Sequence, residues 1–308
     1  MGVPMRLPMR LPMREPAAGV TDRVGLGWRG ELAAGIFEHL DQIDTLEVIA
    51  EDWFQAPRRE AAALAELARL RPLALHGVTM GLAACEAVAG WRLERMARLV
   101  ERVRPVAWSE HLAFVRAGGV EIGHLAAPPR TRANIDGALA NIARATRCVG
   151  TAPLLENIAT LIEPPASELD EPAWVSAIVV GAGGGLLLDL HNLLANAVNF
   201  GRDPFDLLLA MPLQKVRAVH IAGGRWWAPA GRRQRLLDDH LHDVPDEVFA
   251  LLEALAHHVP QPLDVTLERD GAYPAFEVLL RQLRQARAAL ARGRAAQGTD
   301  QPAERCAA

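Results

Sequence analysis

The chain is poor in cysteine, in net charge and in long apolar runs. Its three cysteines, Cys85, Cys148 and Cys306, form no C-x-x-C pair. That excludes a disulfide framework and makes a reducing cytoplasm the expected setting. Cys85 and Cys148 read as core or helix filler. A net charge of −4 and a pI near 6.2 leave no electrostatic footprint for nucleic acid or an anionic membrane. No stretch approaches the roughly 18 uninterrupted apolar residues of a membrane span. A G-x-x-x-x-G-K-[ST] loop is absent, so a P-loop fold has no support. No G-x-S-x-G elbow occurs, which argues against a Ser-His-Asp hydrolase.

What is present is regular. Half of the 308 residues are hydrophobic, enough for one large core. Eight short apolar runs, at 23–28, 45–51, 72–76, 105–110, 152–156, 185–189, 215–221 and 262–268, have the length of buried parallel strands. Helical stretches at 30–40, 58–70, 90–104, 131–148, 170–181, 203–211, 244–258 and 274–291 separate them. The spacing predicts a TIM-type (β/α)₈ barrel rather than an open doubly wound sheet. The glycines of 181–185 precede a strand and read as a helix cap and turn. Residues 1–16 repeat P-M-R-L and read as a disordered leader, 17–291 as the barrel, and 292–308 as a disordered tail.

The runs close on charge. Glu51, His76, Glu110-His111, Glu156-Asn157, Asp189, His220 and Glu268 stand at or beside their ends. Isolated buried charges are costly, and a common strand end in a parallel barrel is the catalytic face. His76, His111, Glu156, Asp189, His220 and Glu268, with the D-x-H pair Asp238 and His240, exceed what one ion needs. They suit two or three divalent ions bridged by carboxylates. With no thiolate among them, softness leaves zinc, manganese and iron open. A metal-free carboxylate pair, as in glycosidases, would not need so many histidines. Glu51, Glu110, Asn157 and Asn192 are candidates to orient the histidines. His39 and His191 are left unassigned. Two long connections, 111–130 and 222–243, overhang the same face. The first should be a hairpin turning at Gly118-Gly119. Arg225, Trp226 and Trp227 in the second, and Arg130 at the end of the first, are candidates for a substrate rim.

Seven motifs occur in order: HGVTMGLA (76–83), SEHL (109–112), LLENIA (154–159), LLLDLHN (186–192), VHIAG (219–223), D-x-H (238–240) and ERD (268–270). The set resembles the multinuclear non-haem iron-dependent oxidative enzymes (the MNIO family), which include the iron enzyme of methanobactin biosynthesis. The resemblance covers roughly residues 22–285. It implies a TIM-type barrel holding two or three irons in mixed Fe2+/Fe3+ valence. It also implies O2-dependent modification of a ribosomally made precursor peptide, commonly at cysteine, with a small partner protein that presents the precursor. Matched motif by motif, His76, His111, Glu156, Asp189, His220, Asp238, His240 and Glu268 would be the iron ligands. Two positions depart from the pattern. Many relatives carry histidine after A-G, where this chain has Gly224. Where relatives often read P-L-P-Y-T, it has Ala127-Pro128-Pro129-Arg130-Thr131. The rival expectation is a zinc- or manganese-dependent isomerase, or an endonuclease-like barrel, using the same strand ends without redox chemistry.

Overall fold

A computed structural model describes residues 21–228 and 233–299. The expected leader, 1–16, lies outside them. The strands are β1 (Arg23–Gly27), β2 (Leu46–Ile49), β3 (Leu73–Gly77), β4 (Ala107–His111), β5 (Phe114–Ala117), β6 (Val120–Ala126), β7 (Leu154–Glu156), β8 (Gly185–Asp189), β9 (Val216–Ile221), β10 (Arg225–Trp227), β11 (Arg235–Leu237) and β12 (Asp264–Leu267). The helices are α1 (Ala33–Glu38), α2 (Arg58–Leu70), α3 (Gly90–Val103), α4 (Arg132–Val149), α5 (Glu171–Gly181), α6 (Leu190–Phe200), α7 (Pro204–Ala210), α8 (Asp246–His258) and α9 (Phe276–Thr299).

Eight strands close into a barrel in the order β1-β12-β9-β8-β7-β4-β3-β2. Every neighbouring pair is parallel. The strands are apolar on both faces because helices cover the outside and side chains fill the lumen. Trp108, Leu26, Leu46 and Leu75 are essentially inaccessible. All eight predicted strands are found. The barrel is also fastened across its ends: Arg23 pairs with Asp264 at 2.5 Å, and Arg294 with Asp22 at 2.7 Å.

Three helical expectations change. The run 30–40 is broken into a 3₁₀ turn at Gly30–Leu32, α1, and a second 3₁₀ turn at Leu40–Gln42. Helix α6 follows β8 without a loop and was not anticipated. Nine of its eleven residues are buried, so it lacks the polar face that reveals a helix by its period. Helix α9 continues to Thr299. The expected tail therefore does not begin at 292, and its remainder lies outside the described residues. Gly25-Leu26-Gly27-Trp28-Arg29-Gly30 has the letters of a dinucleotide fingerprint, but Gly25 and Gly27 belong to β1 itself. A Cβ at Gly25 would lie 1.9 Å from the Thr45 carbonyl oxygen, so that glycine serves strand packing.

Both long connections form two-stranded antiparallel hairpins, β5–β6 and β10–β11. The first turns at Gly118 and Gly119, with φ of +57° and +76°. That is the pair of left-handed residues a tight hairpin turn requires.

Candidate metal centre

Strand register sets the site. His76 is level with Ser109, His111 with Glu156, and Asp189 with His220. All lie at the carboxyl ends of their strands, and Glu268 follows β12 directly. His76, His111 and His220 are packed ring against ring, with His76 centroids 4.7 Å from His111 and 5.1 Å from His220. Glu156 sits among them. Its Oε2 is 3.5 Å from His76 Nε2 and 3.4 Å from His111 Nε2, and its Oε1 is 3.2 Å from His220 Nδ1. Glu268 Oε2 lies 3.1 Å from His220 Nδ1 and 3.5 Å from His240 Nδ1. His76 and Glu268 thus share one end of the barrel, as a common site demands.

Ligand-type atoms converge within 4.8 Å in three overlapping groups: Glu47, His76 and His220; His76, His111 and Glu156; and Glu156, Asp189, His220 and Glu268. Glu47 was missed by the sequence reading. It is the second residue of β2, not its end, and its Oε1 is 2.9 Å from His220 Nε2. Asp238 and His240 join from the loop after β11. His240 Nε2 is 2.9 Å from Asp238 Oδ1, and its Nδ1 is 3.2 Å from Asp270 Oδ2. His240 holds a left-handed backbone, φ +54°, an unusual cost for a non-glycine residue.

The site fits metal ions by its unsatisfied atoms. Glu156 Oε2, Asp189 Oδ2, His111 Nδ1, His220 Nε2 and His240 Nε2 are buried without a hydrogen-bond partner. Buried polar atoms are almost always paired, so several orphans facing one another imply a partner that is not protein. His220 Nε2 and Glu47 Oε1 are close but misaligned for a hydrogen bond. The charges are strongly interdependent. Burial would raise the Glu156 carboxyl, but the His111, His220 and His76 imidazoles outweigh it and hold it low. Burial and the neighbouring Asp238 and Glu156 push Asp189 well up. Burial opposes charge on His111, yet Glu156 and Glu110 raise it to about 9. For His220 and His240, nearby Glu268 likewise overcomes burial.

The surrounding polar residues act only partly as expected. Glu51 Oε1 accepts from Val78 N, Thr79 N and Thr79 Oγ1, and Glu110 accepts from Met80 N and His111 N. Both hold the loop after β3, and Glu110 also faces an imidazole, its Oε1 3.7 Å from His111 Nδ1. Asn157 donates to the Asp189 carbonyl and accepts from Asp189 N, while Asn192 N donates to Asp189 Oδ1. This pair fixes Asp189. His76 is oriented by Ser109: its Nδ1 lies 2.8 Å from the Ser109 hydroxyl, which donates to Leu75 O, so Nε2 is left facing Glu156. Arg130 requires correction. It is 5% exposed, and its guanidinium pairs with Glu163 at 2.5 Å and lies near Glu171 rather than standing free for a substrate. Trp226 and Trp227 stand on β10, 55% and 44% exposed, and Arg225 pairs with Asp239 at 3.3 Å.

The chain is similar to known proteins in sequence and in fold. Residues 23–291 match the family described as "RiPP precursor modification enzyme MbnB/TglH/ChrH". A UPF0276 protein of Bordetella parapertussis is 34% identical over 279 residues, 90% of this chain and 96% of its own length. One of Caulobacter vibrioides is 32% identical over 89% of this chain and 96% of its own. One of Streptomyces avermitilis is 35% identical over 84% of this chain, which spans only 53% of that longer relative. Among solved structures, an L-ribulose 3-epimerase superposes with a TM-score of 0.60 at 16% identity, covering 92% of this chain and 99% of that one. That likeness concerns the barrel alone. By sequence, the chain belongs to the MbnB/TglH/ChrH family of RiPP precursor modification enzymes.

Proposed function

We propose that the protein is an iron-dependent oxidase that uses O2 to modify a ribosomally made precursor peptide, at cysteine, with a small partner protein presenting the peptide. The observation that carries this reading is the convergence of buried, unpartnered carboxylate and imidazole atoms at the strand ends of a family barrel. His76, His111, Glu156, Asp189, His220, Asp238, His240 and Glu268 would hold two or three ions, with Glu47 as a further donor. Bound iron would supply one-electron redox chemistry with O2. Glu156 directs one oxygen at His76 and His111 and the other at His220, the disposition of a bridging carboxylate. Asn157 and Asn192 keep Asp189 pointed into the same space. Arg225, Trp226 and Trp227, exposed on the hairpin that leads to Asp238 and His240, are assigned to the docking peptide. Among the described residues no helix is long and apolar enough to cross a membrane.

The test is reconstitution with Fe2+ without oxygen, followed by air, the cognate peptide and its partner. Two or three irons per chain, O2 consumption and a changed peptide mass are expected. Trp226→Ala with Trp227→Ala should weaken peptide processing by roughly five- to 150-fold, the usual cost of lost aromatic anchors, with the metal retained. Preference for zinc or manganese together with oxygen-independent turnover would overturn the oxidase and favour the isomerase. Full activity in the double tryptophan variant would overturn only the docking surface.

A further inference from the structure

His191 is fully buried near the start of α6, and its Nδ1 lies 2.7 Å from Asp238 Oδ1 in hydrogen-bonding geometry. Asp238 has no barrel strand to hold it, because it sits in the loop beyond β11. His240 Nε2 approaches the same oxygen at 2.9 Å but is misaligned for a hydrogen bond. The bond from His191 is therefore the one side-chain hydrogen bond to the Asp238 carboxylate among the described residues. The other ring nitrogen, Nε2, is buried with no partner. A leucine would fill the same space without leaving a buried acceptor unpaired. The bond that Nδ1 makes to Asp238 is what an imidazole supplies there and a leucine could not.

Gly224 completes the arrangement. A Cβ on it would lie 2.5 Å from His191 Cε1, 2.8 Å from His191 Nε2 and 2.0 Å from the carbonyl oxygen of Leu237. Real Cβ atoms do not approach so closely. Leu237 is the residue before Asp238, so any side chain at 224 would push on both the imidazole and the backbone that delivers the carboxylate. This is the position after A-G that departs from the pattern in the sequence.

We propose that His191 is a positioning residue of the metal centre: it fixes the Asp238 carboxylate through Nδ1–H, and Gly224 is glycine because the Leu237 carbonyl and the His191 ring together occupy the adjoining space. The inference rests on the metal-centre reading above. In this chain the imidazole at this corner comes from the first turn of α6, not from position 224.

The experiment is anaerobic titration of the full chain with Fe2+ alone, reading iron per chain and the Mössbauer spectrum, with circular dichroism to confirm folding. His191→Leu keeps the volume and removes the donor. One ion should bind about 10- to 100-fold more weakly, as outer-shell losses typically do, and its spectral component should fade. His191→Asn places an N–H at the same branch position as Nδ1 and should keep that ion. Gly224→Ala should weaken the same ion as His191→Leu does. If the leucine variant does not fold, His191→Phe supplies the same comparison. Full iron and an unchanged spectrum in the donor-free variant would overturn the proposal, and so would equal losses in the leucine and asparagine variants. Full iron in Gly224→Ala would remove the space-making half. A wild-type chain that binds no iron would overturn the metal-centre reading first and this inference with it.

Discussion

Two clusters of buried polar side chains lie in this barrel, and they are built on opposite principles. One is the strand-end site of Glu47, His76, His111, Glu156, Asp189, His220 and Glu268. The other joins the loop before α4 to α5 and α6: Arg130 pairs with Glu163, and Asn196 Nδ2 donates to Glu171 Oε1 and Oε2 at 3.1 and 3.0 Å and to Ile158 O at 2.9 Å. Asn196 Oδ1 in turn accepts from Thr160 N. The second cluster satisfies itself. The first leaves oxygens and nitrogens from several elements facing one another without partners. Since Arg130, Glu171 and Asn196 are as buried as the strand-end residues, burial alone does not mark a functional site; unsatisfied convergence does.

The sharpest way to break this contrast is Glu156→Gln. Glu156 touches His76, His111 and His220, so a neutral amide there should lose more than one ion per chain. The second cluster, and the fold, should be untouched. Metal analysis after reconstitution decides it: unchanged stoichiometry would mean that the orphaned Oε2 of Glu156 faces no ion. A smaller effect is expected at the edge of the site. His240 comes from a loop and holds a left-handed backbone, tied by Asp270. His240→Ala should lower the iron content by one ion while circular dichroism shows the chain still folded. Unchanged iron in this variant would remove His240 from the centre.

The strand-end site was largely legible in the sequence because parallel strands fully buried in a barrel have few places for charge except their ends. Charge at the ends of His76, His111, Glu156, Asp189, His220 and Glu268 runs therefore reads directly as one shared face. Glu47 was not legible for the same reason: it lies inside a strand, and only the inward turn of β2 shows that it reaches His220. His191 was left open because its meaning depends on contact with Asp238, far away in sequence, and on the space beside Gly224. Arg130 was misplaced because a loop after a proline pair looks exposed in sequence, and nothing local announces Glu163 and Glu171 closing over it. The polar period that reveals most helices was missing from α6, which is buried on nearly every side.

The mildest prediction concerns the self-satisfied cluster and its pH response. Burial raises the Glu171 carboxyl from its ordinary 4.5 to about 7, against the pull of Arg130 and the Asn196 bonds. Between those two values the folded chain keeps a proton that the unfolded chain has released. The folded state then binds more protons, so stability falls as pH rises through this window and levels off above about 7. A carboxyl displaced that far corresponds to roughly 3 kcal/mol. Glu171→Gln keeps the shape and an acceptor for Asn196 but cannot ionise. Relative to wild type, the variant should be unchanged in slope below pH 4.5 and should gain stability progressively from about pH 4.5 to 7, by up to roughly 3 kcal/mol. Chemical denaturation across that range measures the difference. Parallel curves for the two proteins would show that Glu171 keeps its ordinary acidity despite burial. Iron content should be identical in both at every pH, because this cluster has no unsatisfied atom turned toward the metal centre. If Glu171→Gln changed the iron stoichiometry, the two clusters would be coupled, and the separation between a structural polar core and a functional one would not hold.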